Sequence, residues 1–144
     1  MIYQVQEMLY IERGGIEQMK DELQAYNPLV PKGKELVATL MFEIDNEFKR
    51  KEFLNSVGGI EEETFIQVGE QKIISRPEQD TDRTSEEGKA SSVHFLHFDF
   101  TEDLIKEFVK DESVVFLGFS HKNYKHFSEL SLETKSELKK DFDI

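Results

Sequence analysis

The sequence predicts an α+β domain: a largely antiparallel sheet of about five strands, with helices packed on at least one face. Three observations carry that expectation. Residues 35–44 alternate between apolar and mixed positions, as a strand with one face on a core does. The stretches 65–68 and 71–74 flank Gly69-Glu70, a Gly-X pair suited to a tight II′ turn, so these two strands should be antiparallel neighbours. Strand-like and helix-like segments are mixed without regular alternation, which argues against a parallel α/β fold.

In chain order, Met1–Arg13 reads as a helix with Ile2, Val5 and Leu9 on one stripe, ended by Gly14-Gly15. Ile16, Met19, Leu23 and Tyr26 fall on one face of a second helix, which Asn27-Pro28 stops because the residue before proline is driven out of the α region. In the strand Glu35–Ile44, residues Leu36, Ala38, Leu40, Phe42 and Ile44 point to the core. Asp45 then caps a helix over 46–57, with Phe53, Leu54 and Val57 on its buried edge and Gly58-Gly59 after it. The hairpin register pairs Ile66 with Ile73 and Phe65 with Ile74. Residues 77–90 are polar and aperiodic and read as a surface loop.

Ser91–Phe100 is a strand with apolar residues on both faces. Thr101 caps a helix whose stripe is Leu104, Ile105, Phe108 and Val109. Ser113–Ser120 is the most apolar strand and reads as central. The segment 121–127 reads as a loop, and Ser131 caps a last helix running to about Phe142, with Leu138 and Phe142 as its anchors.

The 144 residues carry no internal repeat and no linker, so one α+β domain over 1–144 is expected. With 18 basic and 30 acidic residues the net charge is −12, which disfavours nucleic acid and anionic membrane as partners. No stretch approaches the roughly 18 apolar residues of a membrane span. The sequence has no cysteine, which removes disulfides, cysteine-held metal and thiol nucleophiles. Together with the lack of a recognisable leader pattern, this leads us to expect a cytoplasmic protein.

Most residue types able to do chemistry have a plain structural explanation. His94 and His97 are three apart in one strand, so they face opposite sides and cannot chelate one metal together. His121, Tyr124 and His126, with Lys122 and Lys125, form the one basic and aromatic island of an acidic chain. There His121 is a candidate acid–base group and Tyr124 a donor, although no third group in the sequence orients the imidazole. Asp80-x-Asp82-x-Thr84 begins like a calcium loop but has Ser85 at the sixth position and Ser91 at the twelfth. No histidine follows a glutamate at three residues' distance, and no nucleophile-elbow, phosphate-loop or zinc-peptidase motif occurs. No metal site and no cofactor is specified. Ser91 follows the Glu86-Glu87-Gly88-Lys89 run, where Glu87, Lys89 and Ser91 could contact a ligand; Asn27 is a further candidate, although its place before proline already explains it as a turn residue.

Several phrases taken together carry a resemblance. They are residues 4–9 (QVQEML), 22–31 (ELQAYNPLVP), 35–40 (ELVATL), 87–93 (EGKASSV) and His121-x-x-Tyr124. In this order the chain resembles an uncharacterised bacterial domain-of-unknown-function family, whose genes are often found beside rubrerythrin-like and iron–sulfur oxidoreductase genes. The resemblance implies a bacterial, cytoplasmic protein with no established activity and a link to redox or iron physiology. It differs where the family has His-Pro-x-Tyr, since this chain has His121-Lys122-Asn123-Tyr124. It also implies that the chain is short at its N-terminus, leaving a sheet edge open to pairing in a homodimer.

Two functional readings follow. The first is a non-catalytic binding or accessory module with a redox protein as partner. The alternative is a small-molecule enzyme or metal-binding protein built round His121 and Tyr124. Convergence of His121, Tyr124, Asn27 and the 87–89 loop on one pocket would favour the second.

Overall fold

The computed structural model describes residues 2–79 and 83–144. Met1 and the Asp80 and Asp82 positions of the calcium-like run lie outside the described residues. The chain forms two compact units, residues 1–31 and 32–144.

The first unit is helical. Helix α1 spans Ile2–Glu12, α2 spans Gly15–Tyr26, and a 3₁₀ turn covers Asn27–Leu29. Arg13 and Gly15 take positive φ at the turn, at 54° and 71°. The Gln18 side chain then ties α2 back to α1 by donating to the Met8 carbonyl at 3.1 Å and to Glu12 at 3.0 Å.

The second unit contains seven strands and three helices among the described residues: β1 (Glu35–Met41), α3 (Glu47–Ser56), β2 (Thr64–Val68), β3 (Gln71–Ile74), β4 (Arg76–Pro77), β5 (Val93–Asp99), α4 (Glu102–Phe108), β6 (Val115–His121), β7 (Tyr124–Glu129) and α5 (Leu132–Leu138). The α+β class and the antiparallel pairing are as the sequence predicts. The strands divide between two sheets, with orders β1-β5-β4 and β3-β2-β6-β7.

The hairpin β2–β3 has the predicted register, Phe65 with Ile74 and Ile66 with Ile73. Gly69 sits at φ 57° and Glu70 does not have positive φ, the pattern of a II′ turn. Strand β1 stops at Met41, three residues before the expected end, and Asn46 rather than Asp45 caps α3, its Oδ1 accepting from the Lys49 amide at 2.9 Å. Thr101 and Ser131 cap α4 and α5 as expected, accepting from the amides of Leu104 and Thr134. Helix α5 ends at Leu138, and a 3₁₀ turn carries the chain on to Phe142. The segment expected as a loop after β6 is strand β7, paired with β6 from His121↔Tyr124 to Phe116↔Glu129. Its side chains are polar or exposed on both faces, so it lacks the one-sided apolar alternation that marks a half-buried strand.

Both sheets and α4 feed one core, made by Leu36, Ile66, Val68, Ile73, Leu96, Phe98, Phe100, Ile105, Phe108, Val115 and Phe142. Phe98 and Phe108 are fully buried, so truncating either to alanine should cost about 3–5 kcal/mol. Phe100, Phe108 and Phe142 meet edge to face at 4.9–5.6 Å. Lys135 of α5 is 2% exposed, and its ammonium donates to the carbonyls of Lys110 and Ser113 beyond the end of α4. Burial pushes its pKa down. A second cluster of Leu54, Val57, Ile60 and Ala90 lies around the end of α3.

Candidate binding cleft at the 83–91 loop

The end of α3 is where the chemistry-bearing residues of the second unit gather. A helix leaves its last carbonyls without intrahelical partners. Here the β6–β7 turn supplies donors. Asn123 Nδ2 donates to the Ser56 carbonyl at 2.7 Å, and His121 Nε2 donates to the Gly58 carbonyl at 3.0 Å. His121 Nδ1 accepts from the Asn123 amide at 3.1 Å, so both ring nitrogens of this buried residue are committed. Tyr124 packs its ring among Phe42, Phe53 and Phe119 at 5.2–6.1 Å and against His126 at 4.5 Å.

The other side of the same helix end receives the 83–91 loop. The loop closes on itself through Ser91 N–H to the Arg83 carbonyl and Ser85 N–H to the Lys89 carbonyl, both 2.8 Å. Lys89 N–H also donates to Ser85 Oγ at 3.2 Å, and Gly88 turns at φ 84°. Ala90 N–H then donates to the Leu54 carbonyl at 2.9 Å. At its start the loop is clamped by Glu61, only 4% exposed, which accepts from the Thr84 hydroxyl at 2.9 Å and the Thr84 amide at 3.2 Å. Thr84 Oγ1 in turn accepts from Gly59 N–H at 2.7 Å.

At the loop's other end His94 Nε2 lies 2.9 Å from the Ser91 carbonyl. A carbonyl only accepts, so Nε2 carries the proton and Nδ1 presents a lone pair. That Nδ1 is buried without a hydrogen bond and stands 3.9 Å from Glu61. Burial pulls the His94 pKa below its ordinary value, against the opposing pull of Glu61.

Beside this loop is a cleft of about 470 Å³ lined by Gln79, Arg83, Thr84, Ser85, Lys89, Ala90 and Ser91. Of the six residues singled out from the sequence, it holds Lys89 and Ser91. Glu87 is exposed on the loop, and His121 and Tyr124 reach the α3 end without lining the cleft. Asn27 belongs to the first unit, where its amide donates to the Leu23 carbonyl and its own carbonyl accepts from Val30 N–H. Arg83 and Glu61 carry no such signal in the sequence, and Thr84 stands there only as the fifth position of the calcium-like run.

A second polar array forms around His97, whose partners the sequence does not mark. His97 is 3% exposed and sits between two carboxylates, with Nδ1 2.9 Å from Glu35 and Nε2 2.9 Å from Glu78. Arg76 makes a two-pronged contact to Asp99 at 2.9 and 3.0 Å and lies 3.6 Å from Glu35. The hydrogen bond from His97 holds the Glu78 pKa down, and that from Arg76 does the same for Asp99. The strand register places these groups together, since Glu35 pairs with Asp99 and Arg76 with His97. The expectation that His94 and His97 face opposite ways holds: one reaches Glu61, the other Glu35 and Glu78.

Among the described residues, no group of three or more His, Asp or Glu side chains is placed to hold a metal ion, and no helix is long and apolar enough to cross a membrane. No curated protein matches the chain. A crystal structure of a protein of unknown function from Burkholderia pseudomallei is similar, with a TM-score of 0.87 and 33% identity over 98% of this chain and 74% of that one. The family model described as "Protein of unknown function (DUF3501)" matches residues 1–142, and the chain belongs to that family.

Proposed function

We propose that the chain is a non-catalytic binding or accessory module, with its ligand site at the 83–91 loop. One observation carries the reading: the buried histidines turn their ring nitrogens into the fold, and only His94 Nδ1, itself buried, lacks a hydrogen bond. His121 is bonded at both nitrogens, His97 is held between two carboxylates, and His94 secures the Ser91 carbonyl. A general base needs a nitrogen within reach of a substrate proton, and these rings brace loops and strands instead. The cleft by the loop has a volume suited to a small molecule. The resemblance drawn from the sequence implies a redox or iron setting and a redox protein partner, and the proposal adopts both. The cysteine-free sequence supports a cytoplasmic location.

The test is recovery of the full chain from its own organism, with its bound proteins and metals identified, beside turnover assays on candidate small molecules. The reading expects stable association with redox proteins and no turnover. Turnover abolished by His121→Ala, in protein that remains folded, would replace it with an enzyme centred on His121 and Tyr124.

A further inference from the structure

We infer that the cleft at the 83–91 loop takes a compact oxyanion, a small molecule bearing a carboxylate or a phosphate; the inference rests on the binding reading and names its ligand chemistry. The Arg83 guanidinium and the Lys89 ammonium both line the cleft, and neither has a hydrogen bond or ion pair with a side chain among the described residues. Two cations without a side-chain partner among the described residues meet at one concavity of a chain with 30 acidic and 18 basic residues.

The hydroxyls add direction. Ser85 Oγ accepts from Lys89 N–H and Ser91 Oγ accepts from Val93 N–H, which leaves each hydroxyl proton free to donate into the cleft. No carboxylate is present among the described lining residues. The backbone carrying these donors is already closed by its own hydrogen bonds and fixed by Glu61 and His94, so little ordering remains to oppose binding. Arginine's planar fork fits two oxygens of a carboxylate or phosphate, and lysine supplies a point charge beside it.

The experiment is a backbone-amide NMR titration of the full chain with inorganic phosphate and, separately, with succinate. Saturable shifts centred on residues 83–91 are expected for at least one anion, and the anion that saturates identifies the phosphate or the carboxylate class. Arg83→Gln and Lys89→Gln should each weaken binding about tenfold, as loss of a charge-assisted contact would. Because neither side chain makes a hydrogen bond or ion pair among the described residues, neither variant should lower Tm. Lys125→Gln, on β7, should leave affinity unchanged. No saturation by either anion up to about 50 mM, where even a weak site would fill, overturns the inference. So does binding unaltered by Arg83→Gln. Saturation of the same amides by a neutral molecule, equal in wild type and Arg83→Gln, would sink the oxyanion while keeping the binding module. Turnover would sink the binding module itself.

Discussion

A Cβ on Gly58 would collide with the carbonyl oxygen of Gly88, so the turn after α3 and the turn of the 83–91 loop meet backbone to backbone. Backbone cannot swing aside as a flexible side chain can. Gly58→Ala should therefore push the loop off the helix end, at a cost of about 1–3 kcal/mol typical of overpacking. Urea unfolding would measure the loss. Hydrogen exchange at the Ala90 amide, bonded to the Leu54 carbonyl, should quicken more than exchange in the sheets.

His94 makes stability depend on pH in the mildly acidic range. Its folded pKa lies below the ordinary histidine value of about 6.5, so the unfolded chain takes up the proton first. Its contribution is intact above that value and declines as pH falls through the folded pKa. Urea midpoints from pH 8 to pH 5 should fall for the wild type and stay flatter for His94→Phe. Glu78 and Asp99 act at lower pH. Their depressed pKa values add stability above the ordinary carboxylate range near 4, and that stability is lost as pH falls through the folded values.

His97→Leu should be among the more damaging single changes, because it leaves the largely buried Glu35 without its closest partner. Leaving a buried acceptor without its hydrogen-bond partner typically costs about 1–3 kcal/mol, and Arg76 at 3.6 Å should hold the loss toward the lower end. Glu35→Gln, which keeps the shape and an acceptor, should cost less. Denaturant unfolding of the two variants checks the order.

Asn123→Ala should remove the donor to the Ser56 carbonyl and cost about 1 kcal/mol, the net worth of a hydrogen bond. His121→Ala should cost more, since it takes away the ring bonded to the Gly58 carbonyl and the acceptor for the Asn123 amide. Thermal unfolding of each variant and of the double variant would show whether the two losses overlap, as expected for residues sharing one network.

Local signals in the sequence were legible where the deciding residues are neighbours. Gly69-Glu70 specifies a turn and thereby a register, and Thr101 and Ser131 sit next to the helices they cap. Strand β7 was not legible because an edge strand exposed on both sides needs no apolar alternation; its pairing comes from β6. The array of Glu35, His97, Glu78 and Arg76 was hidden for a different reason. Glu35, Arg76 and His97 come from three strands and Glu78 follows β4, and only the tertiary register brings Glu35 and Arg76 to His97. At the candidate cleft, Lys89 and Ser91 were visible as polar loop residues. Glu61, which holds the loop by Thr84, is in sequence one more acid in an acidic chain, and only its burial sets it apart.

The order of the smaller sheet has a consequence for biogenesis. Strand β1 has β5 as its neighbour, and β5 is synthesised only after α3, the β2–β3 hairpin and the 83–91 loop. During translation β1 therefore waits with its ladder groups unmet while residues 42–92 emerge from the ribosome. Closing that long span is an entropic toll levied before any contact rewards it, so completion of this sheet should be the slow step and the stage at which a nascent chain is most open to chaperones.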